Sequence, residues 1–125
     1  MVVCVPVTAE GLVDQPWGST ARVAVADVLG DVVVDWQEFD VRWDELRAVE
    51  ADGPHLARVA HFLREHGVQT LAAYRVGDDM LRMLFRMGLH VHLGAAGDAR
   101  DAARVAAKTP AEGAGMGEWR AGVDE

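Results

Sequence analysis

Five histidines and one cysteine are spread through this 125-residue sequence, and with a methionine-rich segment they are its candidate metal donors. His55 follows Gly53-Pro54 at a helix start, where a loop meets free backbone amides. A metal or cluster held there could be both positioned and released; the alternative is an accessible helix-start side chain. His90 and His92 are two apart on a strand and so share one face, with Leu89, Val91 and Leu93 on the other. Two imidazoles side by side can hold a metal, yet no third ligand is visible beside them. His61 lies opposite its helix's apolar stripe and reads as solvated, while His66 sits in the last helical turn, where the dipole favours it. Cys4 lies inside a continuous apolar run, where desolvation opposes thiolate formation. Met80, Met83 and Met87 recur at helical spacing with Leu81 and Leu84, the pattern of a buried helix face.

A second chemistry is capture of an anion by backbone amides. Loops 8–18, 75–79 and 94–98 follow parallel strands and should emerge at one end of a sheet, where open α/β folds bind ligands. Helix starts at Asp78 and Asp98 aim amides at that crevice, Arg75 adds a positive charge, and glycines permit close backbone approach. Asp78, Asp79 and Asp98 could instead cap those amides themselves. The candidate cofactor-binding residues are Trp17, Gly18, His55, Arg75, Gly77, Gly94 and Gly97, with His55 also the candidate metal ligand.

The elements that must position them follow from periodicity. Residues 2–7 form an apolar run rich in β-branched side chains, expected as a central strand buried on both faces. Residues 22–28 and 32–39 are strand-like and joined through Leu29-Gly30-Asp31, a hairpin signal. The apolar parity shifts after Trp36, which a bulge near Gln37-Glu38 or the strand's end would explain. Residues 44–53 are charged and weakly periodic and read as a solvated loop with one helical turn at most. A helix begins at Pro54 with Leu56, Val59, Ala60 and Leu63 on one face and stops at Gly67. Strand 69–74, helix 78–87, strand 89–93 and helix 98–107 then repeat one grammar, which implies parallel strands. The expected order βββαβαβα builds a ribonuclease-H-like mixed five-stranded sheet flanked by three helices. One domain is expected over 1–107. Residues 108–125 turn to Gly, Ala, Pro and Glu and are expected to be a disordered tail.

Four pieces stand out in order: Val3-Cys4-Val5-Pro6-Val7, Pro16-Trp17-Gly18 before a strand reaching Asp27, Ala60-His61-Phe62-Leu63 before His66-Gly67-Val68, and Gly88-Leu89-His90-Val91-His92-Leu93-Gly94. Together they resemble the dinitrogenase iron-molybdenum cofactor biosynthesis family, also called NifX-like or NifB-C-terminal-like. The resemblance runs from Val2 to about Ala106. It implies binding of an iron-sulfur or iron-molybdenum cluster and exchange with metallocluster donor and acceptor proteins. Relatives commonly carry His-Phe-Gly where this chain has Pro16-Trp17-Gly18.

Composition narrows the classes further. A net charge of −8 repels phosphate backbones, so no nucleic-acid partner is expected. A single cysteine fits a reducing, cytoplasmic setting, and the apolar start Met1 to Val7, broken by Pro6, is expected to be too short for a signal peptide or a membrane span. The central strands carry no carboxylates for a two-metal nuclease, and the single serine, Ser19, lies in no nucleophile elbow. The expectation is a non-enzymatic binding or carrier protein, monomeric or a weak homodimer. The alternative is an interaction or regulatory module on the same fold that no longer binds a cluster, anchored by an exposed Trp17, Trp36 or Trp43.

Overall fold

The apolar run at the start forms strand β1 (Val2–Pro6), and every residue from Val3 to Val7 is buried. A computed structural model of the chain describes residues 1–49 and 51–108. The tail expected over 108–125 therefore lies, apart from Lys108, outside the described residues. After β1 come β2 (Arg22–Leu29), β3 (Val32–Asp40), α1 (Trp43–Val49), α2 (Asp52–Glu65), β4 (Thr70–Ala72), α3 (Asp78–Arg86), β5 (His90–His92) and α4 (Ala99–Lys108). The sheet order is β3-β2-β1-β4-β5, antiparallel through the hairpin and parallel from β1 to β4 to β5. This is the mixed, ribonuclease-H-like sheet expected, with β1 at its centre.

Strand alternation sorts side chains onto two faces. Val3, Val5, Ala24, Ala26 and Ala72 meet Ala99, Ala102, Ala103 and Ala106 of α4. Alanines on both sides allow helix and sheet backbones to approach closely. The other face is bulkier: Cys4, Val23, Leu71 and Val91 pack with Trp43, Val59, Leu63, Met80 and Leu84 from α1, α2 and α3. Met80 is buried there, and Met83 and Met87 pack against the same cluster, as a core stripe should.

Four local expectations are corrected. The charged segment after β3 contains a helix, α1, making four helices rather than three. Its periodicity is weak because tertiary contact replaces it: Trp43 is 2% exposed and packs edge-on against Trp17 and Phe62, while Val49 remains exposed. The hairpin irregularity lies not at Gln37-Glu38 but opposite Asp27/Val28, leaving an exposed Val34 unpaired. No bulge is needed after Trp36, because both faces of β3 are used: Trp36 packs on the α4 side beneath Arg100, and Phe39 packs on the α2 side against Phe62. Finally, α2 starts at Asp52 rather than Pro54, and Leu93 is 49% exposed rather than sharing the buried face of Leu89 and Val91.

Cys4 is fully buried, and desolvation pushes its thiol well above the ordinary range. Native labelling by a thiol reagent should therefore run far slower than labelling of the denatured chain. Leu71→Ala, which empties the centre of the bulkier face, should cost about 2–5 kcal/mol in a denaturant titration.

Candidate functional site

The bulkier face of the sheet leaves a cleft of about 260 Å3 where the starts of α2 and α3 meet the loop after β1. Trp17, Gly18, Arg47, Asp52, His55, Gly77 and Met80 contribute to its lining. Its volume falls just below the range of roughly 300–1,000 Å3 usual for small-molecule sites, so it suits a small ligand or one face of a larger one.

His55 is the organising side chain. It is 2% exposed, because it stands four residues before Val59 and eight before Leu63 and so shares their buried stripe. Its Nε2 lies 2.5 Å from the carbonyl oxygen of Gly18. A carbonyl can only accept, so Nε2 carries the proton and donates. The imidazole thereby ties α2 to the loop that carries Trp17. Nδ1 is buried without a protein partner, and so is the indole Nε1–H of Trp17, whose residue is 7% exposed. Buried polar atoms without partners carry a desolvation cost unless a water or ligand meets them. Two such atoms, one of them a hydrogen-bond donor, belong to side chains lining a single cleft.

Two helix starts add donors. The N-cap residues of α2 and α3 are Ala51 and Gly77, and neither helix has a side-chain cap hydrogen bond, which leaves first-turn amides uncapped by side chains; in α2 these are Asp52 and Gly53, since Pro54 has no N–H. The start of α4 differs, since Asp98 Oδ1 accepts from the backbone N–H of Asp101. Gly18 adopts φ +89°, and a Cβ placed there would come within 3.1 Å of Met80 Cε and 3.7 Å of His55 Nε2. Glycine is thus favoured by the backbone conformation, while the tight approach to the flexible end of Met80 asks only a small shift and the imidazole is at ordinary contact distance.

Four of the seven residues singled out in the sequence, Trp17, Gly18, His55 and Gly77, come together in this cleft. Arg75, Gly94 and Gly97 do not line it. Arg75 is exposed, and its backbone bridges Pro16. Gly94 N donates to the Tyr74 carbonyl and Gly97 O accepts from Val13, which ties their loop to the 8–13 loop. The cation of the cleft is Arg47, missed because its segment read as a loop. The expectation of an accessible His55 is overturned: its burial makes it an anchor of the loop, not a rim residue. Trp17 and Trp43 are buried too and offer no exposed anchors. The remaining histidines stay apart from the cleft: His61 is exposed, His66 packs against Phe39 and Phe62, His90 is exposed, and burial lowers the pKa of the half-buried His92. Among the described residues no group of three His, Cys, Asp or Glu side chains could hold a metal ion.

Fold and site together define a small mixed α/β protein with a polar cleft at two helix starts. The chain belongs to the dinitrogenase iron-molybdenum cofactor family, whose sequence pattern matches residues 1–109. Similar solved structures include PH0822, with a TM-score of 0.65, 20% identity, and 81% of this chain and 83% of that chain covered. The apo form of the orange protein from Desulfovibrio gigas is also similar, with a TM-score of 0.64, 20% identity, and 81% and 82% covered. At that identity the likeness shows the shared fold. No curated protein matches the chain. No helix among the described residues is long and apolar enough to cross a membrane.

Gly18→Ala should cost about 1–2 kcal/mol of stability from its left-handed conformation. His55→Ala, which opens a cavity and strands the Gly18 carbonyl, should cost about 2–4 kcal/mol. His61→Ala, on the exposed face of the same helix, should stay within roughly 0.5 kcal/mol. Urea titrations of the three variants check this ordering.

Proposed function

We propose that this protein is a non-catalytic carrier of an anionic iron-sulfur or iron-molybdenum cluster, received from a donor protein and passed to an acceptor. The observation that carries the reading is the cleft with two uncapped helix starts and the unpartnered polar atoms of Trp17 and His55, in a chain of the cofactor family. The donor set decides how such cargo would be held. Direct thiolate ligation does not fit, because Cys4 is sealed in the core with its thiol held protonated. Sulfides or carboxylates at the edge of a cluster accept hydrogen bonds, and the first-turn amides of α2 and α3 and the Trp17 indole would supply N–H donors. His55 would act through Nε2, which keeps the loop in place, since its Nδ1 lone pair offers no hydrogen to an anion. A cluster gripped through its outer atoms keeps its own ligands, which suits transfer better than permanent residence. Trp17, Gly18, His55 and Gly77 would form the site.

A second reading, the interaction module, draws on a different surface. Leu29, Val32 and Val34 are 59%, 59% and 52% exposed around the hairpin that ends in edge strand β3. A second copy covering that patch would make the weak homodimer, which mass measurement in solution detects.

The carrier reading is tested by purifying the chain anaerobically from cells that make the cofactor, then measuring iron, molybdenum and sulfide and the visible spectrum. The matched variant is Gly77→Phe. Gly77 has an ordinary φ of −66°, and nothing lies within 4 Å of a Cβ placed there, so a ring can be added at the cleft wall without backbone strain. Wild type should carry metal and absorb in the visible, and Gly77→Phe should lose both at an unchanged thermal midpoint. Equal metal in the two proteins, or none in either, would sink the proposal.

A further inference from the structure

We infer that the Asp52 carboxylate is a built-in placeholder for the bound anion, occupying Arg47 until a cargo anion displaces it. The inference rests on the cleft being the cargo site. Among the described residues lining it, Arg47 has the one fixed positive charge, against the carboxylates of Asp52, Asp78 and Asp79. With every side chain where it stands, an incoming anion meets more negative than positive charge at the rim. Asp79 is engaged by Arg82 at 2.7 Å, and Asp52 is engaged by Arg47 at 2.7 Å.

The Arg47–Asp52 pair is built to be exchanged. Its side chains are 44% and 70% exposed, and ion pairs in water at such positions contribute little, so breaking one costs little. Arg47 rides on the short helix α1, whereas Asp52 is the first residue of α2, so the pair links two elements that line the cleft. Asp52 does not cap its own helix, which has no side-chain cap bond. Its carboxylate is committed to the guanidinium, yet once displaced it would still lie in the first turn of α2, where the helix dipole favours negative charge. The guanidinium it releases offers a planar fork of donors suited to an oxoanion or to the acceptor atoms of a cluster. The buried, unpartnered indole N–H of Trp17, a residue of the same cleft, is an independent donor for an acceptor ligand. Arg47 thus has two alternative partners, an internal carboxylate when the cleft is free and the cargo when it is filled. That exchange limits capture of weakly charged bystanders and lowers the barrier to release, because the carboxylate returns as the cargo leaves.

The test is a double-mutant cycle on the full chain, with inorganic sulfate as the probe, read by isothermal calorimetry at constant ionic strength. Asp52→Asn should bind sulfate roughly two- to five-fold more tightly than wild type, the range expected for releasing an exposed ion pair. Arg47→Ala should bind more weakly. Adding Asp52→Asn to Arg47→Ala should bring no further gain, because the carboxylate then has no guanidinium to occupy. A gain of equal size in both backgrounds would reduce Asp52 to simple repulsion and overturn the placeholder, as would an unchanged affinity in the single variant. Absence of sulfate binding in all four proteins would overturn it too. Metal content after anaerobic purification judges the carrier reading separately, so the two can fail independently. Thermal midpoints close to wild type confirm that the variants stay folded.

Discussion

Burial of β1 on both faces is the constraint from which the remaining architecture follows. A strand whose neighbours are apolar on both sides leaves two sheet faces to be covered, and one helix cannot cover both. The chain answers asymmetrically. On one side small residues of the strands meet the alanine ridge of α4, and close approach leaves little room between helix and sheet. On the other side bulky residues from α1, α2 and α3 hold the helices further out, and the cleft opens where two of those helices begin.

The cleft depends in turn on a side chain that would be unusual in a plain core. An imidazole in the buried stripe of α2 reaches the Gly18 carbonyl, and that bond joins the edge-on contact between Trp17 and Trp43 and the Pro16–Arg75 bridge in fixing the end of the loop. A leucine at position 55 would fill the same space without donating to the loop, and a larger residue at 18 would be strained by its left-handed backbone and would press on the end of Met80. Polar groups are thus left inside at Trp17 and His55, a pattern more readily explained by ligand recognition than by packing, since packing alone favours apolar replacements.

Under the carrier reading, the local chemistry bears on how cargo would be held. A buried thiol and scattered imidazoles do not make a metal cage, whereas uncapped amides, an indole N–H and one arginine make an outer grip. Such a grip is sensitive to charge at its rim, which gives the Arg47–Asp52 pair its place in the account.

Much of the fold was legible in the sequence because it rests on local, repeated signals. The unbroken β-branched run of β1 announced a central strand, the Gly30 turn announced the hairpin, and the βα grammar after Gly67 announced parallel strands. The placement of Trp17, Gly18 and Gly77 beside a helix start also followed, because loops after parallel strands share one end of the sheet. Helix α1 was not legible, since its one buried residue, Trp43, is held by Trp17 and Phe62, which are distant in sequence. Nor was the role of His55. Its spacing to Val59 and Leu63 marked the buried face, but whether a polar side chain there is tolerated depends on a carbonyl 37 residues away. The separation of Gly94 and Gly97 from the cleft was likewise set by backbone bonds from their loop to Tyr74 and Val13. Periodicity reports which way a side chain faces; only the assembled chain decides what it meets there.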